Sequence, residues 1–218
     1  MLIKPSRGLQ MNFLLSAMLV ASCLLSASAQ ASAIEQFKAF VVNTKTAKGE
    51  FVQLQMKVSN GVAKPGKSSS GIFKFARPGR FIWTYLKPYE QVLQADGDKM
   101  FMYDKDLNQV TIKALGSAIG SSPAAILFGS VDLEKNFILK DTGLKQGIDW
   151  MEAIPKAQDT QFEAINIGMK DGLPVAMELK DSFGQMSLLS LKNIERNPVF
   201  SADQFKFVVP AGADVLRP

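Results

Sequence analysis

The stretch Ser70-Gly71-Ile72-Phe73-Lys74-Phe75-Ala76-Arg77-Pro78-Gly79-Arg80-Phe81-Ile82-Trp83-Thr84-Tyr85 constrains this chain more than any other. Two alternating runs meet at Pro78-Gly79, a dipeptide suited to a tight turn, so the stretch is predicted to be a β-hairpin. Successive strand side chains point to opposite faces, which puts Phe73, Phe75 and Arg77 on one face of the first run. Phe81, Trp83 and Tyr85 share one face of the second. An arginine closing an apolar stripe needs acceptors for five N–H donors and cannot escape burial by losing its charge. The sequence therefore demands polar partners for Arg77 beside an aromatic surface.

Few other chemistries are open to the chain. Lys4 and Arg7, the apolar run from Met11 to Leu25 and the small-x-small site Ala27-Ser28-Ala29 predict a secretory signal over residues 1–29, with Ala31 and Ala33 as later cleavage sites. A membrane anchor is disfavoured by Ser16, Ser22, Ser26 and Ser28 and by the lack of a flanking charge cluster. Val20-Ala21-Ser22-Cys23 offers a competing reading as a lipobox, with Cys23 acylated at the mature terminus. If cleavage follows Ala29, the one cysteine of the 218 residues leaves with the signal, and the chain has no histidine at all. The remaining 30–218 domain would then have no disulfide, thiolate nucleophile, Ser-His-Asp triad or imidazole metal site. Loss of Lys4 and Arg7 lowers the net charge from +5 to +3, which favours an acidic partner surface and does not indicate nucleic acid.

In order, Ile34, Phe37, Phe40 and Val41 recur at helical spacing behind Ser32 as N-cap and Glu35 in the first turn, predicting a helix to Asn43. Ala47–Ser59 alternates as a strand. Gly61-Val62-Ala63-Lys64-Pro65-Gly66-Lys67-Ser68 satisfies the P-loop pattern, but a P-loop feeds a helix N-terminus and here a strand follows. The segment is instead expected to be a hairpin loop. Strands are expected at Gln91–Ala95, Met100–Tyr103 and Gln109–Ala114, separated by turns rich in Asp96, Asp98, Asp104 and Asp106. Such carboxylates ordinarily shape turns, with weak calcium binding as the alternative.

Ser122-Pro123-Ala124-Ala125-Ile126-Leu127-Phe128-Gly129 reads as a two-turn helix capped by Ser122 and stopped by Gly129. So short a helix cannot stand alone and must lie on an apolar surface, as part of a core or as a lid over a cavity. Strand patterns resume at Phe137–Leu139, Gly147–Ala153, Phe162–Ile167, Pro174–Leu179, Gln185–Leu191 and Phe205–Pro210, with Asp171-Gly172 as a hairpin turn. The sum is a mainly β (α+β) domain: one strongly curved antiparallel sheet of about eleven strands with short helices on its concave side. Fifteen Phe and ten Met are a high apolar load. Composition leaves open whether they form an ordinary core or a surface for acyl chains of variable shape.

The ordered motifs Gly49-Glu50-Phe51-Val52-Gln53, the hairpin itself, Asp96-Gly97-Asp98-Lys99, Pro123-Ala124-Ala125-Ile126-Leu127, Asp181-Ser182-Phe183-Gly184-Gln185 and Phe205-Lys206-Phe207 resemble the LolA family of periplasmic lipoprotein carriers across the mature chain. The Phe-x-x-x-Arg-Pro-x-x-Phe-x-Trp core is the most specific part. The resemblance implies an incomplete β-barrel closed by a helical lid at Pro123, Ile126, Leu127 and Phe128, and a lid latch at Arg77. It implies acyl-chain cavity aromatics at Phe81 and Trp83, and the expected lining is Phe73, Phe75, Phe81, Trp83, Leu93, Phe101 and Met177. It further implies a periplasmic monomer that is not an enzyme, uses no cofactor or metal and binds no nucleic acid. Acylated lipoproteins would come from the inner-membrane transporter LolCDE and pass to the outer-membrane receptor LolB. The latch carbonyls are expected between Leu115 and Gly129, in the loops flanking Pro123–Phe128. Competing readings are a LolB-like receptor anchored through Cys23, a periplasmic module that senses lipoproteins without moving them, and an enzyme.

Overall fold

Ser32 opens the fold as the N-cap of α1 (Ala33–Asn43), its hydroxyl accepting from the Glu35 amide while the Glu35 carboxylate accepts from the Ser32 amide. This reciprocal capping box satisfies two otherwise orphaned donors. The computed structural model describes residues 31–59, 62–118, 123–128, 133–157 and 162–217. The expected signal over 1–29 with Cys23, and the positions Gly61, Ser122 and Gly129, lie outside the described residues. Ser32–Pro218 forms one unit.

The strands are β1 (Thr46–Ser59), β2 (Val62–Ala76), β3 (Arg80–Lys87), β4 (Gln91–Asp96), β5 (Lys99–Asp104), β6 (Gln109–Ala114), β7 (Phe137–Lys145), β8 (Ile148–Pro155), β9 (Phe162–Lys170), β10 (Leu173–Asp181), β11 (Met186–Arg196) and β12 (Asp214–Leu216). Between β6 and β7 come α2 (Leu115–Ala118), α3 (Pro123–Phe128) and α4 (Leu133–Asn136). Among the described residues these twelve strands make one open, curved sheet in the order β12-β6-β5-β4-β3-β2-β1-β11-β10-β9-β8-β7. All pairings are antiparallel except β12 on β6, which is parallel.

Register turns sequence alternation into a continuous apolar inner face. Phe73 pairs with Trp83, Trp83 with Leu93 and Leu93 with Met102; Phe75, Phe81, Ala95 and Met100 make the adjacent row. On the other half, Leu189 pairs with Met177, Met177 with Ile167 and Ile167 with Met151. The buried face of α1, Ala33, Phe37 and Phe40, belongs to the same core cluster. Gln36 fixes the helix from its side chain, donating to Asp149 at 2.7 Å and accepting the Gly172 amide at 3.1 Å.

Two expectations need correction. Of the expected Gly61–Ser68 loop, the described part, Val62–Ser68, is not a loop but the first part of β2, because it pairs with β1 down to Ser59↔Val62. Phe205–Pro210 is not a strand: a 3-10 turn covers Ala202–Phe205, and the chain then crosses the outer face of the sheet. There Gln94 Nε2 donates to the Phe205 carbonyl at 2.9 Å. The curved antiparallel sheet of about eleven strands is borne out with twelve, the last of them β12, too short and weakly patterned to read in sequence, which pairs beyond that segment.

Gly71 has a physical reason to be glycine. A Cβ there would lie 1.9 Å from the Thr84 carbonyl oxygen and 2.8 Å from the Phe51 ring, so the ring packs on bare backbone. Gly71→Ala is expected to cost about 1–3 kcal/mol through forced separation of β2 and β3. Urea titration checks this, and unchanged stability would mean the strands yield without loss.

Candidate functional site

Arg77 leaves the end of β2 at a turn completed by Gly79, whose φ of 65° is a backbone conformation that L side chains rarely adopt. Its own amide donates to the Lys45 carbonyl at 2.8 Å, which fixes the base of the side chain. Nε then donates to the Thr44 carbonyl at 3.2 Å and Nη2 to the Leu127 carbonyl at 3.2 Å. The guanidinium thereby joins the C-terminal end of α1 to the helix α3. It also sits 4.9 Å from the Phe75 ring centroid and 5.7 Å from that of Phe40, within reach of cation–π attraction.

Both acceptors are helix-end carbonyls. The last four C=O groups of a helix lack intrahelical partners and carry the negative end of its dipole. Leu127 lies in the last turn of α3 and Thr44 is the C-cap of α1. Leu127 falls within the expected span Leu115–Gly129, but inside the short helix and not in its flanking loops. Thr44 was missed altogether, and the signal that could have found it was the end of the α1 periodicity one residue earlier. Burial pulls the Arg77 pKa below its ordinary value, to about 10. Folded and unfolded chains both keep the charge below about pH 9, so this residue adds no pH dependence to stability there.

Phe128 brings α3 onto the aromatic face. Its ring centroid is 4.5 Å from Phe75 and 5.0 Å from Phe73, with interplanar angles of 17° and 22°. The stack continues from Phe73 to Trp83 at 5.7 Å and from Trp83 to Phe51 at 4.0 Å. Ala124, Leu127 and Phe128 are buried with the sheet in one cluster. Of the positions expected to form a lid, Leu127 and Phe128 pack inward; Pro123 and Ile126 lie on the same helix, their side chains outside the described residues.

The structure brings Phe73, Phe75, Phe81, Trp83, Leu93 and Met177 together on the inner face. Phe101 does not join them. It pairs with Gln94, one residue out of phase with Leu93, so it faces the opposite side of the sheet and stacks on Phe207 at 4.4 Å. Met100 and Met102 take the inner positions on β5 instead. The strand was read in sequence with its faces exchanged, an error that moves every side chain across the sheet.

A little polarity is built into this face. Tyr85 donates to Gln53 Oε1 at 2.9 Å, and burial raises its pKa. Trp83 Nε1 has no acceptor in bonding geometry among the described residues, though it lies near enough to the Tyr85 hydroxyl to favour its ionised form slightly against the larger effect of burial. Asp96 and Asp104 shape turns: Asp96 accepts the Asp98 and Lys99 amides, and Asp104 the Leu107 amide.

The family model described as outer membrane lipoprotein carrier protein LolA matches residues 42–208. An outer-membrane lipoprotein carrier protein of Ralstonia nicotianae is 54% identical over 96% of this chain and 98% of its own length. One of Dechloromonas aromatica is 47% identical over 91% of this chain and 95% of its own. Among solved structures, a LolA superfamily protein from Nitrosomonas europaea aligns over 82% of this chain and 99% of its own, with a TM-score of 0.50 at 7% identity. An uncharacterised conserved protein from Thermus thermophilus aligns over 85% and 99%, with a TM-score of 0.55 at 15% identity. These last two are likenesses of fold alone.

Proposed function

The chain belongs to the LolA family of outer membrane lipoprotein carrier proteins, and from that membership we propose that it takes acylated lipoproteins from LolCDE, crosses the periplasm as a monomer and hands them to LolB. The observation that carries the reading is the Arg77 guanidinium bonded to the Leu127 carbonyl while Phe128 covers the aromatic face. A greasy surface is present, and it is closed by a contact that can be undone.

The energetics suit transfer rather than storage. Each acyl CH₂ leaving water contributes about 0.8 kcal/mol, so an open, rigid pocket would hold two or three chains too tightly to release them. Cargo that must first displace α3 breaks hydrogen bonds from a charged donor, each worth about 1.5–3 kcal/mol, and parts the Phe128 stack. That cost lowers net affinity and leaves transfer to the next site downhill. The carrier performs no bond chemistry in this scheme and needs no cofactor.

The LolB-like receptor is not favoured, since relatives matching nearly the whole chain bear the carrier's name. Purification from the periplasm followed by mass analysis of co-purifying lipoprotein tests the proposal. Acylated cargo bound to a chain with a free terminus near Gln30 is the expected result. A chain acylated at Cys23, or one never found with lipoprotein while the inner-membrane transporter is active, overturns it.

A further inference from the structure

The hairpin of β1 and β2 runs past the sheet that holds it. β11 pairs with β1 only as far as Met56↔Met186, and β3 meets β2 only from Ser70↔Lys87 onward. Beyond those points, among the described residues, the two strands pair only with each other, ending at Ser59↔Val62. This extension buries none of the core cluster. It does carry charge. Lys57 stands directly opposite Lys64, an arrangement that destabilises a strand pair, and Lys67 follows two residues after a β-bulge begins. No Asp or Glu occurs between Gln53 and Ser70. All three lysines are exposed, and the ion pairs among the described residues involve other lysines.

The neighbouring turns on the same rim display large apolar side chains. Register puts the β3–β4 turn on one side of the hairpin and the β10–β11 turn on the other, with the β5–β6 turn one place further out. Their tips are Tyr89 (70% exposed), Phe183 (87%) and Leu107 (67%). Phe183 is held there by design of the turn, since Asp181 accepts the amides of Phe183 and Gln185. Of the acids on this rim, Glu90 pairs with Lys105 and Asp104 accepts the Leu107 amide, while Asp106 stands exposed in the β5–β6 turn beside Lys105.

Unpaired cations flanked by exposed aromatic tips are the chemistry of a bilayer interface, where lysines meet lipid phosphates and Tyr or Phe sits at headgroup depth. We propose that this rim docks on a bilayer bearing anionic headgroups, through Lys57, Lys64 and Lys67 with Tyr89 and Phe183 beside them. Repulsion between Lys57 and Lys64 is relieved when phosphates lie between them. Three charges give a contact that is salt-sensitive and brief, which suits a protein that must leave again. The inference goes beyond the carrier reading and is tested without cargo, so its failure leaves that reading standing.

The experiment is sedimentation of the periplasmically purified protein with vesicles of phosphatidylglycerol and phosphatidylcholine, against pure phosphatidylcholine, at 20 and 500 mM salt. The expected result is binding to the anionic vesicles at low salt only. A K57Q/K64Q/K67Q variant should bind roughly a hundredfold more weakly, while K113Q/K192Q/K206Q, which removes the same charge from exposed positions elsewhere, should bind nearly as well as the parent. Tyr89→Ser with Phe183→Ser should weaken binding without changing its salt dependence. Equal binding to both vesicle types, or equal loss in the two lysine triples, overturns the proposal. So does retention of a partner protein in place of any lipid preference.

Discussion

Replacement of Arg77 by Leu is expected to leave lipoprotein loading intact and to slow delivery to an acceptor by an order of magnitude or more. The side chain supplies hydrogen bonds to Thr44 and Leu127 at 3.2 Å each, tying α3 to the end of α1, and in the proposed cycle cargo must break the bond to Leu127. Leu keeps an apolar side chain beside Phe75 and Phe40, whose rings face the guanidinium, but donates nothing. Removing even one charged hydrogen bond worth about 1.5 kcal/mol from the closed state raises apparent cargo affinity about tenfold. Cargo then has less reason to leave. The measurement is transfer of a labelled lipoprotein from the loaded variant to purified receptor, beside a loading assay. Delivery at the parental rate would remove Arg77 from the release step, and failure to load would make it part of the binding surface instead.

Phe128→Ala separates a door from a wall. If α3 were a fixed part of the core, deleting a ring stacked on Phe73 and Phe75 would cost about 3–5 kcal/mol of global stability. A lid has another way out, because it can detach and leave the sheet folded. The global loss is then limited to the free energy of lid closure, and the aromatic face opens to solvent. The expected result is a smaller fall in urea stability, with red-shifted emission from Trp83 and increased binding of an apolar dye. A full loss of 3–5 kcal/mol with no new dye binding would show that α3 is a wall. Combining Phe128→Ala with Arg77→Leu should give less than the sum of the two effects, since both act on one closed state.

The hairpin at Ser70–Tyr85 was legible because two local signals agreed: alternation over each run, and a Pro-Gly turn between them. The helix at Pro123–Phe128 was legible from its stop signals, and α1 from its cap. Phe101 was not, since Lys99-Met100-Phe101-Met102-Tyr103 is apolar at three successive positions and either phase fits. Only the pairing of Gln94 with Phe101, and a C-terminal segment bringing Phe207 over the outer face, selects the phase. Val62–Ser68 misled in the other direction. Its Gly, Pro and Ser residues favour a loop, yet cross-strand pairing with β1 overrides that preference.

The sequence by itself determined that Arg77 must be satisfied by polar groups within an aromatic setting, because a permanent cation in that pattern has no other stable arrangement. It also determined the local elements that cap and turn themselves. Which carbonyls satisfy Arg77 was decided only by tertiary structure. Thr44 lies 33 residues from it along the chain and Leu127 lies 50. Their oxygens become acceptors because two helices end beside the same turn, and backbone carbonyls carry no residue-specific mark by which a sequence could announce them.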